Sequence, residues 1–186
     1  MILALTIMLI GCSVIKSADI PKLQTGSPLK SISPKVFAFK EFKDIRGTDP
    51  HFLWHVGVRD FTLDQPIAKV VAEAIKQEFE RNGHRCIDYA PQSKADYTIE
   101  GTVYKYSLLF NISFVTTELI ASTAVKLTVS HTSPNKGIFS HNYEYESRRS
   151  DTTGGPQSQI DIMVQALPSL VKEISTDQKL VEFLQK

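Results

Sequence analysis

The chain predicts an α+β fold in which a small mixed or antiparallel sheet carries helices packed on one face. Three patterns predict it. Ile67, Val70, Val71, Ala74, Ile75 and Phe79 form one stripe at the 3.6-residue period of a helix. Residues 95–108, 120–131 and 138–146 alternate apolar and polar side chains, the period of half-buried strands. A second helical stripe follows at Ile160, Met163, Val164, Leu167, Leu170, Val171 and Ile174. The expected order is strand, helix, short strand, three-strand meander and C-terminal helix.

In chain order, residues 13–34 hold Pro21, Pro28, Pro34 and five serines, with no sustained period, and read as a flexible tether. Fully extended, such a segment reaches at most about 70–80 Å. Residues 35–42, rich in Phe and Val, read as the first strand. Gly47 and Asp49-Pro50 mark a loop, and an extended piece is expected near residues 54–58. The first helix has Asp64 as an expected N-cap, Pro66 in its first turn and Gly83 after its end. Residues 85–89 form a short strand. In the meander, Tyr97, Ile99 and Val103 share one face, and Val125, Leu127 and Val129 share another. Pro134-Asn135-Lys136-Gly137 is the turn into the last strand. Residues 108–115 are a conspicuously apolar connection. Pro168 is expected to kink or split the second helix, and residues 178–186 form a final short piece.

The chain has 186 residues, 22% of them charged, and a formal net charge of +1. That balance suits a globular domain and gives no electrostatic reason to expect nucleic acid. There are two cysteines, Cys12 and Cys86. If Cys12 is modified, Cys86 has no partner and is expected to be a buried structural thiol.

Residues 1–10 are an uncharged apolar run, too short to span a bilayer, which needs about 20 residues. The run fits the apolar region of a secretory signal, although no Lys or Arg precedes it; the alternative is a buried first strand or helix. Its ending, Leu9-Ile10-Gly11-Cys12, resembles the lipobox of bacterial lipoproteins. The resemblance implies cleavage after Gly11, acylation of Cys12 and a membrane-held product. It divides the chain into a signal peptide at 1–11, a lipidated N-terminus and tether at 12–34, and one domain at 35–186. Ser13, where an aspartate would imply the inner membrane, implies the periplasmic leaflet of the outer membrane.

Further motifs are Asp44-Ile45-Arg46, Val56-Gly57-Val58-Arg59, residues 95–101 (Ala-Asp-Tyr-Thr-Ile-Glu-Gly) and Glu182-Phe183 in the closing tail. Taken in order over residues 35–186, they resemble the YajG-like family of bacterial lipoproteins. The resemblance implies a fold and a place in the envelope, not an activity. The layout is also similar to auxiliary lipoprotein subunits of lipid transport systems.

Catalytic signatures do not emerge. His51 and His55 are four apart, but Phe52 stands where a zinc protease carries glutamate. His84, His131 and His141 fall in other elements, so a buried Trp54 loop is expected there rather than a metal. There is no Gly-x-Ser-x-Gly, and Gly154-Gly155 reads as the turn leading into a helix rather than an anion site. Asp44, Arg46, Arg59 and Asp60 are a candidate polar cluster where two loops meet. Leu108, Leu109, Phe110, Phe114, Tyr104 and Tyr106 are a candidate partner surface; the domain's own helices covering the meander tyrosines is the alternative. The expected function is a non-enzymatic, lipid-anchored binding or assembly factor with an envelope protein partner and no cofactor. The alternative is a binder of lipid or a small apolar ligand, or an auxiliary transport subunit, which requires a cleft between helix and sheet.

Overall fold

The computed structural model describes residues 13–17, 27–56, 59–112, 117–133, 137–151 and 156–186. Within them the fold is α+β, with helices lying against the sheet as expected, but there are two sheets. The smaller is mixed and has three strands: β1 (Ser13–Ile15), parallel to β5 (Arg59–Leu63), which is antiparallel to β4 (Phe52–Val56). The larger contains β2 (Val36–Phe39), β3 (Lys43–Asp44), β6 (Arg85–Asp88), β7 (Tyr97–Ile112), β8 (Thr117–His131) and β9 (Ile138–Asp151). Its order is β6-β2-β7-β8-β9, and β3 also pairs with β7. Strand β2 lies parallel to both neighbours, while β7, β8 and β9 form the antiparallel meander.

Helix α1 (Ile67–Arg81) crosses from the small sheet to β6 and packs on β6 and β7. Its stripe is buried at Ile67, Val70, Val71, Ile75 and Phe79, each large side chain contributing roughly 1.5–3 kcal/mol. Gly83 closes the helix at φ 90°, a left-handed conformation that favours glycine. Phe79 meets Phe37 of β2 edge-on at 4.8 Å, and Phe37 stacks on Tyr97 of β7 at 5.4 Å. Helix α2 (Pro156–Thr176) lies across β8 and β9, and α3 (Gln178–Leu184) follows with Asp177 as its N-cap.

Strand β7 carries a bulge. Val103 pairs with Val125 and Lys105 with Ala124, which leaves Tyr104 as the extra residue. The inward set therefore changes phase. Tyr97, Ile99, Gly101 and Val103 face the helices before the bulge, and Tyr106 and Leu108 after it. At Gly101 an added Cβ would come within 2.2 Å of the Phe42 ring, so the ring occupies the space a side chain would take. On the opposite face Lys105, Ala124 and Glu144 form one cross-strand row, and the Lys105 ammonium donates to Glu144 at 3.0 Å across the buried Ala124.

Three expectations need correction. Residues 13–34 are not all tether: β1 is a strand, and Ser27 caps a 3-10 turn at Pro28–Ser31 that buries Leu29 completely. The Ser27 hydroxyl donates to the Ser175 carbonyl at 2.7 Å, which joins this turn to the end of α2. The folded body thus begins before residue 35. The extended piece expected near 54–58 is present as β4, which pairs with β5. Asp64 does not cap α1, whose N-cap position is Pro66; its carboxylate accepts the Ser17 N–H instead, at 2.8 Å. Pro168 does not split the second helix, which runs without a break over 21 residues. The buried Met163, Ala166 and Leu167 before it and Leu170 and Val171 after it belong to one packed stripe, which offsets the roughly 3 kcal/mol cost of an interior proline.

Candidate functional site

Between α1 and the segment running from β2 through β3 lies an open cleft of about 1200 Å³. Its floor follows from the alternation in β2 and the stripe on α1: Phe39, Phe42 and Ala68 are buried, and Ala72 is half-buried. Phe39 and Phe42 stack with their centroids 6.4 Å apart. Two apolar side chains stand on the rim, Ile45 at 62% exposure and Tyr89 at 45%.

The charged lining balances: Lys40, Lys43, Lys69 and Lys76 against Glu41, Asp44, Glu73 and Asp88. The Lys40 ammonium pairs with Glu100, which raises its pKa ahead of a smaller opposing effect of burial, and it also lies 5.0 Å from the Tyr89 ring centroid. Lys76 donates to Asp88 at 3.1 Å; burial pushes its pKa down, but Asp88 and the neighbouring glutamates outweigh this and raise it. A cleft with an apolar floor and both signs of charge suits an amphiphile with a zwitterionic or polar end better than a simple anion.

One end of the cleft is fixed by Arg46. Its Nη2 donates to Asp44 at 2.7 Å, its Nε donates to the same carboxylate at 3.0 Å, and its Nη1 donates to the Phe52 carbonyl at 2.8 Å. Both side chains of this pair are largely buried. Burial would raise the Asp44 pKa, but hydrogen bonds from the Arg46 side chain and backbone N–H dominate and hold it below the usual carboxylate value. The pair clamps the loop between β3 and β4 to the sheet.

The candidate polar cluster is therefore divided. Asp44 and Arg46 are together, whereas Asp60 lies on the small sheet and accepts from His55 Nδ1 at 2.7 Å. Arg59 opens β5, and its side chain is outside the described residues. His51 donates to the Leu63 carbonyl at 2.9 Å, so His51 and His55 serve different partners. Trp54 is buried, stacked on Phe61 at 4.7 Å, and donates to Gln159 at 3.2 Å.

The candidate partner surface needs a larger correction. Tyr106 and Leu108 are core residues, turned inward by the bulge, and the Tyr106 hydroxyl donates to the Met163 carbonyl at 3.3 Å. Phe110 packs partly against the same core, Tyr104 is half-buried and Leu109 is exposed at 55%. Phe114 lies outside the described residues, as do Cys12 and Gly154-Gly155. The domain's own helices thus cover Tyr97, Tyr106 and Tyr143. Cys86 is half-buried; its thiol donates to the Lys76 carbonyl at 3.6 Å, and burial pushes its pKa up to about 12, which disfavours the reactive thiolate.

Sequence reasoning missed the cleft, because its walls come from distant segments. The phase slip from Tyr97, Ile99 and Val103 to Tyr106, Leu108 and Phe110 was the available signal for the bulge.

Residues 58–185 match the model of a family described as uncharacterized lipoprotein. The chain belongs to that family. The lipoprotein match runs from the β4–β5 hairpin through α3, and so takes in α1 and the meander but not β2 and β3. No curated protein sequence matches the chain. Its fold is similar to that of protein XCC0632 from Xanthomonas campestris, with a TM-score of 0.66 at 12% identity over 91% of this chain and 96% of that one. It is also similar to the hypothetical protein CT253 from Chlamydia trachomatis, with a TM-score of 0.51 at 10% identity over 82% of this chain and 98% of that one. Membership in a lipoprotein family implies association with a membrane of the bacterial envelope.

Proposed function

We propose that this lipoprotein is a non-enzymatic binding factor of YajG-like type. Residues 1–11 are its signal peptide, acylated Cys12 anchors it in the periplasmic leaflet of the outer membrane, and the α1 cleft is its binding site. The open cleft of about 1200 Å³, with its Phe39–Phe42 floor, carries this reading. The size and the mixed lining suit an amphiphile, such as a lipid presented by its polar end. Anchoring has its support in the family match together with Leu9-Ile10-Gly11-Cys12. Stable attachment requires two or more acyl chains, since a single chain binds only marginally.

Titration of the protein with a lysophospholipid, followed by calorimetry, tests the cleft. Saturable one-to-one binding is expected, with at least a tenfold loss in Ala72→Phe, which narrows the cleft from the helix side. Binding that survives Ala72→Phe unchanged, in a variant of unaltered stability, removes the cleft from the reading. The anchor has its own test: Cys12→Ala loses acyl label and moves out of the membrane fraction, and label that persists there refutes it.

A further inference from the structure

Cys12 is joined to Ser13 by a single peptide bond, and Ser13 is already the first residue of β1. Adjacent Cα atoms lie about 3.8 Å apart, so the acyl-bearing residue is one residue away from folded strand. That strand is held firmly. Ser13, Val14 and Ile15 pair in parallel with Phe61, Thr62 and Leu63. Asp64 N–H donates to the Ile15 carbonyl at 3.1 Å, Ser17 N–H donates to the Asp64 carboxylate at 2.8 Å, and the Gln65 amide donates to Ser17 Oγ at 3.1 Å. Ile15 is part of the buried core.

We propose that the body rides directly on the bilayer, with the Ser13 end of the small sheet against the phospholipid headgroups and no leash between. This inference rests on acylation of Cys12. The register says which end faces the lipid. Ser13 lies beside Phe61, so the direction toward residue 12 leads to the start of β5, at Arg59 and Asp60, and to their hairpin partners Val56 and His55. His55 and Asp60 are half-exposed and hydrogen-bonded to each other, a polar pair at this end of the sheet. Val14 stands next to the anchor at 62% exposure. Beside it a groove of about 460 Å³, lined by Val14, Ile15, Ile160 and Val164 with Gln157 and Asp161, opens toward the start of α2. Residues 18–26 come after β1 in the chain and so do not lengthen the attachment.

The chain's only tryptophan, Trp54, sits in this sheet and reports its distance from the membrane. Acylated protein is bound to phosphatidylethanolamine–phosphatidylglycerol vesicles carrying dansyl-labelled headgroups, and energy transfer from Trp54 is measured. Strong transfer is expected. A 20-residue Gly/Ser insertion between Cys12 and Ser13 should cut it at least threefold while vesicle sedimentation stays the same. Equally weak transfer in both proteins overturns the inference and leaves the anchor intact. Equally strong transfer in both also overturns it, because the body would then adhere by its own surface. Protein that carries acyl label yet does not sediment has its chain held elsewhere, for instance in the β1–α2 groove, and the inference falls. Protein without acyl label refutes the anchor itself, and with it the inference.

Discussion

His84 sits in the core between the rings of Phe37 and Phe79, at 5.3 and 6.0 Å, and its Nδ1 accepts the Lys35 N–H at 3.4 Å. Burial pushes its pKa below the ordinary 6.5, since an imidazolium there would lose its water. The unfolded chain then binds the proton more readily than the folded one. The contribution of His84 to stability is complete above pH 6.5 and is lost as the pH falls below that value. Urea denaturation from pH 7.5 to 5 should show stability declining toward acid. His84→Leu should remove that part of the decline, even if it lowers stability at pH 7.5. A difference curve that is flat across this range would show that His84 does not titrate on unfolding.

The loop between β3 and β4 owes its shape to one side chain. Arg46 binds Asp44 on one side and the Phe52 carbonyl on the other, with little solvent at either contact. Arg46→Ala would leave a largely buried carboxylate without its counter-ion, and breaking such a pair costs about 3–5 kcal/mol. Chemical denaturation measures the loss, and hydrogen exchange should locate it in residues 44–52. Arg46→Lys should recover only part of it, because an ammonium cannot make the forked contact of a guanidinium. Because Asp44, Ile45 and Pro50 also line the cleft, the same variant should weaken amphiphile binding.

Across the whole molecule, the small sheet and the 3-10 turn extend the packed body toward the N-terminus. Leu29→Ala should therefore cost about 2–5 kcal/mol, as for other fully buried leucines; a tether residue would cost nothing measurable, and a thermal melt distinguishes the two. The regular elements were legible in the residues. The α1 stripe keeps one period over its whole length, the first meander strand keeps its alternation up to the bulge, and Gly83 is a stop signal carried by one residue, so local patterning specifies them. Three features were not. The fold of Pro28–Ser31 depends on contact with Ser175, 148 positions from Ser27. The loss of Tyr106 and Leu108 from the surface depends on a one-residue bulge, which reverses every side chain after it. The cleft depends on where α1 comes to rest on strands that follow it in the chain.

The position of β2 has a consequence for how the molecule comes together. This early strand is inserted between two later ones, and its neighbours, Arg85–Asp88 and residues 97–99, arrive only after α1. A polypeptide threaded across a membrane with its N-terminus leading could not pair β2 on both sides until about half its length had emerged, and could not finish the large sheet before Asp151. Until then Phe37 and Phe39 would have no strands to shelter them, and such exposed segments are where chaperones act and where aggregation begins. Closure of this kind joins distant positions, which slows folding.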